Sequence, residues 1–285
     1  MPLAGIGHSF GGCALINLAL MHPRLLSTLI LLDPVVQDTE APEAVGDPAY
    51  QSTFRRDVWP SRGEAEAAFR KQNFYQSWDP RVFDRWCKFG IRETPTSLHP
   101  NECGSVTLST TKHQECFTFI RPSWPGLSAD GSKVIDREKV PDIDTAGSRE
   151  FLFYRPEPTA TFKKLGEVRP SVLYIFGGES EMSSPRLRQL KMNVTGTGIG
   201  GSGGVKEGRV KEVVLNGIGH LVAMEASVQC ADTAAPWLSQ ELEKFRAARR
   251  EYLEWTKKTF VEKTTLSQEW QKRIGGVSKA PRGRM

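Results

Sequence analysis

An α/β fold, built on a mostly parallel sheet with a largely helical insertion, is what this sequence predicts, and three observations carry it. Short apolar strands alternate with helix-patterned segments at both ends of the chain. Between them the character shifts to polar helices and loops rich in Pro, Ser and Thr. The 285 residues suffice to bury a sizeable core as one large domain or a domain with an insertion.

In chain order, Leu3, Ala4 and Ile6 form a strand stub, Cys13–Met21 an apolar helix, and Thr28–Leu32 (TLILL) a second strand ending at Asp33-Pro34. That is a βαβ unit of a parallel sheet. Polar helices follow at Arg62–Lys71 and Pro80–Phe89, in a stretch that holds Trp59, Trp78, Trp86 and Trp124. Sheet language returns with Ser171–Phe176 (SVLYIF), a helix at Arg186–Met192, a strand at Val210–Leu215 (VKEVVL) and an amphipathic helix over Ser227–Arg250. Residues 1–36 and 169–255 therefore read as the core and 37–168 as the insertion. Residues 256–285 read as a polar, basic tail, poorly ordered at its end.

The junction of the first strand and helix carries the chemistry. Gly7-His8-Ser9-Phe10-Gly11 has the form G-x-S-x-G. A serine on so sharp a strand-to-helix turn sits in strained backbone, lifts its Oγ off the sheet and aims the following N–H groups at a developing oxyanion. Glycines two residues before and after it relieve the crowding. A secretory signal is a poorer reading, because glycine, histidine and serine interrupt the apolar segment before the first basic residue, Arg24.

Composition narrows the class. The net charge is +5, yet Ser239–Met285 holds 12 Lys and Arg against 6 Asp and Glu, so the body is near −1 and offers no nucleic-acid surface. No apolar run reaches the ~20 residues of a membrane span. Five cysteines without C-x-x-C spacing point to reduced thiols in an intracellular compartment, not to disulfides or zinc. Gly196-Thr197-Gly198-Ile199-Gly200-Gly201 matches G-x-G-x-x-G, but it follows a helix and precedes a strand. It reads as a flexible loop, not a dinucleotide site.

Of five histidines, His220 stands out, in a glycine-bracketed loop (Asn216-Gly217-Ile218-Gly219-His220) past the last strand, where open α/β sheets place their chemistry. His22 reads as a helix-end residue, His99 and His113 as solvated, and His8 as pointing away from the serine. A histidine taking the Ser9 proton needs an acid to fix its tautomer.

Ser9 and His220, with the GHSFG elbow and the GxGH loop in this order, resemble the α/β-hydrolase superfamily. Phrases such as VLYIFGGES and GIGHLVAMEA are similar to a branch of fungal hydrolases that includes toxin-biosynthesis and peroxisomal lipase-like proteins, over residues 1 to about 275. The resemblance implies about four strands and a helix ahead of Ser9, together with a loop donating one oxyanion-hole N–H. The chain is thus expected to be a hydrolase starting just upstream of its nucleophile, through a mis-assigned start or a short isoform, with Phe10 N–H as the other donor. For the acid, Asp33, 24 residues past Ser9, is preferred to Glu181, which matches the register of a later G-x-x-D-x-x-x-P position.

The implied activity is that of a cofactor- and metal-independent serine hydrolase of esterase, lipase or thioesterase type. Ser9 would attack a small apolar acyl substrate, His220 act as base then acid, and Asp33 or Glu181 orient it. The aromatics of the insertion suggest an acyl pocket under a lid, or equally a core of their own. The alternative class is a catalytically inactive fragment acting as a binding or interaction protein. Gly283-Arg284-Met285 is a weak match to a peroxisomal tripeptide, so the expected location is cytoplasmic, with the peroxisome as its alternative.

Overall fold

The computed structural model describes residues 2–38, 42–143 and 152–275, with no side-chain detail for 42–47. Residues through Ser239 form one compact unit, and Gln240 onward a second.

The first unit opens with β1 (Ala4–His8), α1 (Phe10–Met21) and β2 (Thr28–Leu32). The segment that follows holds α2 (Pro42–Phe54), β3 (Val58–Trp59), α3 (Arg62–Arg70), α4 (Asn73–Gln76) and α5 (Pro80–Phe89). It continues with β4 (Ile91–Glu93), β5 (Val106–Leu108), α6 (Lys112–Phe119), β6 (Arg121–Pro122), β7 (Phe153–Tyr154) and α7 (Glu157–Phe162). Then come β8 (Ser171–Gly177), α8 (Pro185–Val194), β9 (Val210–Leu215), α9 (Val222–Glu225) and the start of α10 (Ser227–Lys257).

The main sheet runs β1-β2-β8-β9, every pair parallel, with His8 opposite Leu32, Leu32 opposite Ile175 and Gly177 opposite Leu215. Parallel strands are covered on both faces, and β2 and β8 are buried at every residue, which explains their unbroken apolar runs. Alternation then sorts the side chains. Leu29, Leu31, Val172, Tyr174 and Phe176 meet Cys13, Ile16 and Ala19 of α1 and Met192 of α8. Ile30, Leu32, Leu173 and Ile175 meet Val222, Cys230 and Trp237.

The insertion is largely helical, but it also carries a three-stranded antiparallel sheet, β3-β5-β4, and the β6-β7 pair. Its aromatics form a separate core: Trp59, Phe69, Tyr75 and Phe83 are buried together, with Trp78 and Trp86 packed against them.

The glycine-rich stretch after α8 follows a defined path instead of a flexible one. Gly196 N–H donates to Leu165 O, Gly198 N–H to Gly166 O and Gly203 N–H to Gly196 O. His99 departs from the solvated expectation: its Nε2 lies 3.6 Å from the Asp57 carboxylate and its side chain is 21% exposed.

The described part of the second unit is helical. Helix α10 runs on to Lys257, seven residues past the expected Arg250, through a stretch of good helix formers. Helix α11 (Phe260–Thr264) starts with a Thr259–Glu262 capping box, and α12 spans Gln268–Gly275. Gly283-Arg284-Met285 lies outside the described residues. Among the described residues no helix is long and apolar enough to cross a membrane, and all five cysteines are free thiols.

Candidate active site

Ser9 sits where β1 turns into α1, with φ 54° and ψ −123°. Its backbone is pinned on both sides, its N–H donating to Leu32 O at 2.9 Å and its C=O accepting from Val35 N–H at 3.1 Å. One of the two expected glycine positions changes. A Cβ on Gly7 would meet Gly11 O at 2.7 Å, so that position admits no side chain. A Cβ on Gly11 would meet nothing within 4 Å, whereas one on Gly12 would meet the Pro34 ring at 2.8 Å. The close approach after the serine is thus between Gly12 and the turn beyond β2, which register with Ser9 alone does not reveal.

That turn carries Asp33. Among the described residues, Ser9 and Asp33 (φ 43°) are the only non-glycine residues with positive φ. Such backbone is unfavourable for side-chain-bearing residues and persists only where its surroundings enforce it. Here Asp33 N–H donates to Ile175 O at 2.8 Å, locking the turn to β8.

The two strained residues flank one histidine. His220 Nε2 lies 2.8 Å from Ser9 Oγ, and its Nδ1 lies 2.6 Å from Asp33 Oδ2. Asp33 is fully buried. Burial pushes its carboxyl up, but hydrogen bonds from His220 and Ser180 outweigh this and hold it below the usual carboxylate range. An ionised carboxylate only accepts, so His220 carries its proton on Nδ1, and Nε2 is left to accept from the Ser9 hydroxyl. Gly177 N–H (3.2 Å) and Ser180 Oγ complete the hydrogen bonds to Asp33.

The loop holding His220 packs tightly on β8. A Cβ on Gly177 would fall 2.0 Å from Gly219 O, so glycine is required there. Gly219 N–H donates to Glu225 Oε2 at 3.0 Å. His8, expected to point away, instead donates through Nε2 to His220 O at 2.9 Å, its ring 5.0 Å from that of His220. Burial lowers the His8 pKa, which suits a neutral ring beside a second imidazole. Period-2 alternation puts His8 and Ser9 on opposite faces of an ideal strand, but Ser9 has already left the strand.

Glu181 is exposed, in a short 3₁₀ turn, and Asp33 is the acid that meets His220. The Gly178–Pro185 stretch supplies the Ser180 hydroxyl instead, a contribution the sequence did not flag. Phe10 opens α1, so its N–H has no carbonyl within the helix to bond. The Phe10 ring lies 4.0 Å below the Arg155 guanidinium. The insertion's tryptophans do not converge here: Trp59, Trp78 and Trp86 belong to its own core, and half-exposed Trp124 packs edge-on against Phe153. A cavity of about 440 Å³ opens elsewhere, between α5 and the start of α10, lined by Arg81, Arg85 and Val228 among others.

No protein-family model matches the chain. It is 38% identical over 271 residues to the type I acyl-CoA thioesterase mpaH of Penicillium roqueforti, covering 88% of this chain and 61% of that protein. The chain therefore spans about 60% of the length of this curated relative. With the abhydrolase domain-containing protein ACTT2-1 of Alternaria alternata it shares 32% identity over 240 residues, 84% of each chain. Among solved structures, the peroxisomal α/β-hydrolase Lpx1 of Saccharomyces cerevisiae superposes with a TM-score of 0.54 at 16% identity, over 95% of this chain and 60% of that one.

Proposed function

The chain belongs to the α/β-hydrolase superfamily, and on that premise we propose that it is a serine hydrolase of acyl esters or thioesters with Ser9 as nucleophile. The observation that carries this is the unbroken hydrogen-bond path from Ser9 Oγ through His220 to buried Asp33. His220 Nε2 takes the hydroxyl proton as Oγ bonds to the acyl carbonyl carbon, and Asp33 stabilises the imidazolium that results. Phe10 N–H donates to the oxyanion. The imidazolium returns its proton to the departing alkoxide or thiolate, leaving an acyl-Ser9. Water, deprotonated by His220, attacks that carbonyl and releases the acid, and Ser9 recovers its proton.

An acyl-CoA thioester is the substrate class proposed first, because the mpaH relatives are named for it. A panel of acyl-CoA thioesters and matched oxyesters tests this, with Ser9→Ala as control. Thioester turnover lost in Ser9→Ala supports the proposal; turnover that persists in the variant contradicts it. The proposed location is the cytoplasm, with the peroxisome as alternative. A fluorescent reporter ending in residues 276–285 distinguishes them, since punctate import abolished by removing Met285 would favour the peroxisome.

A further inference from the structure

Lys191, on α8, is fully buried. Among the described residues its Nζ has one hydrogen-bond acceptor, the carbonyl of Pro34 at 3.1 Å. The Phe176 ring lies 5.4 Å away, next to the Gly177 whose N–H binds Asp33. An ammonium buried with a single neutral acceptor is costly, and a hydrophobic side chain of the same length would fill the space without that cost. Burial pulls its pKa down to about 8, with Asp33 favouring the charged form and Arg188 opposing it. At neutral pH the cation persists, and the carbonyl it grips belongs to the residue after the strained acid.

Resting on the reading of Ser9, His220 and Asp33 as the reacting groups, we infer that Lys191 is a positioning residue for Asp33. It anchors the Asp33-Pro34 turn through the Pro34 carbonyl, and the attraction between its ammonium and the carboxylate adds to the hydrogen bonds from His220 and Ser180 that hold the acid ionised. Removing that charge changes the field acting on the hydrogen-bonded Asp33–His220 pair. The other ionisable groups facing this assembly are His8 from β1, whose pKa burial lowers, and Glu225 from α9, which is bound to Gly219 N–H. On the Lys191 side there are Arg188 and the buried Tyr174 hydroxyl, pushed up by desolvation and so neutral.

Two variants separate anchoring from charge. Lys191→Gln keeps a donor for Pro34 O without the charge, and Lys191→Met removes both. The His220 ring is followed by NMR against pH, with its signal assigned through His220→Gln, a readout that requires no activity. Removing the cation is expected to move the titration midpoint of His220 up by about half a pH unit or more in both variants. The acid limb of fluorophosphonate labelling should move with it, and the plateau rate should fall further in Lys191→Met than in Lys191→Gln. Midpoints unchanged in folded variants would overturn the inference, as would loss of fold in both, which would make Lys191 purely structural. Wild-type chain that takes no label at Ser9 would contradict the nucleophile reading separately, while the NMR shift still decides the role of Lys191.

Discussion

The crevice at the ends of β1, β2 and β8 and the aromatic core of the insertion are stabilised in opposite ways. In the crevice, backbone is held at positive φ at Ser9 and Asp33, a carboxylate is buried at 0% exposure, and an ammonium is buried against one carbonyl. Each of these costs stability and persists only because the sheet imposes it. In the insertion, Phe69 packs against Trp59, Tyr75 and Trp86 with centroids 5.0–6.0 Å apart, and dispersion and burial do the stabilising. Substitutions should therefore cut activity with little loss of fold in the crevice, and the reverse in the insertion.

The largest expected effect comes from the acid. Asp33→Asn should lower turnover by about 10³–10⁴-fold, because an amide no longer fixes the Nδ1–H tautomer of His220. A steady-state assay on folded variant checks this, and a loss under tenfold would move the acid elsewhere. The opposite pole is Phe69→Ala, expected to lower stability by about 3–4 kcal/mol through the cavity it leaves. Urea denaturation measures that loss, and variant still folded should take label at Ser9 at close to the wild-type rate. A labelling rate that collapses in the folded fraction would erase the distinction between the two regions.

The strands Thr28–Leu32 and Val210–Leu215 were legible to the residue, the first as an apolar run and the second as a valine-rich segment between glycine-containing turns. Ser9, His220 and Asp33 were legible as candidates because each lies within two residues of a glycine or proline that marks a sharp turn. Lys191 was not, since one lysine in the polar helix PRLRQLKMNV reads as solvated until tertiary packing shows which face is covered. Ser180 was hidden in a serine-rich loop for the same reason. Gly12 was missed because its crowding comes from Pro34, 22 residues away in sequence. The continuation of α10 to Lys257 was undervalued because a charged segment reads as tail, although its propensity is helical.

Linkage sharpens the contrast further. The folded-state pKa of Lys191 is lowered to about 8, so between roughly pH 8 and 10.5 the unfolded chain binds more protons than the folded one. Stability from this group therefore rises as pH climbs through that window, by about 3–4 kcal/mol in all. Lys191→Met should remove the rise and leave the protein at least as stable as wild type at pH 7, which denaturation at pH 7 and pH 10 can compare. Asp33 has the same sign in an acid window: its folded pKa is also depressed, so its contribution is present above the unfolded carboxylate value and fades as pH falls through the folded one. Glu181→Gln should do least, changing turnover by less than about twofold, as an exposed side chain outside the hydrogen-bond path. A loss comparable to that of Asp33→Asn would reverse the assignment of the acid.

Most direct of all is the mass of the peptide containing Ser9 after exposure to a fluorophosphonate. The account predicts one phosphonyl adduct, on Ser9, at a rate that falls as His220 is protonated, and no adduct in Ser9→Ala or after replacement of His220 by alanine. An adduct on another residue, or one retained in Ser9→Ala, would contradict it.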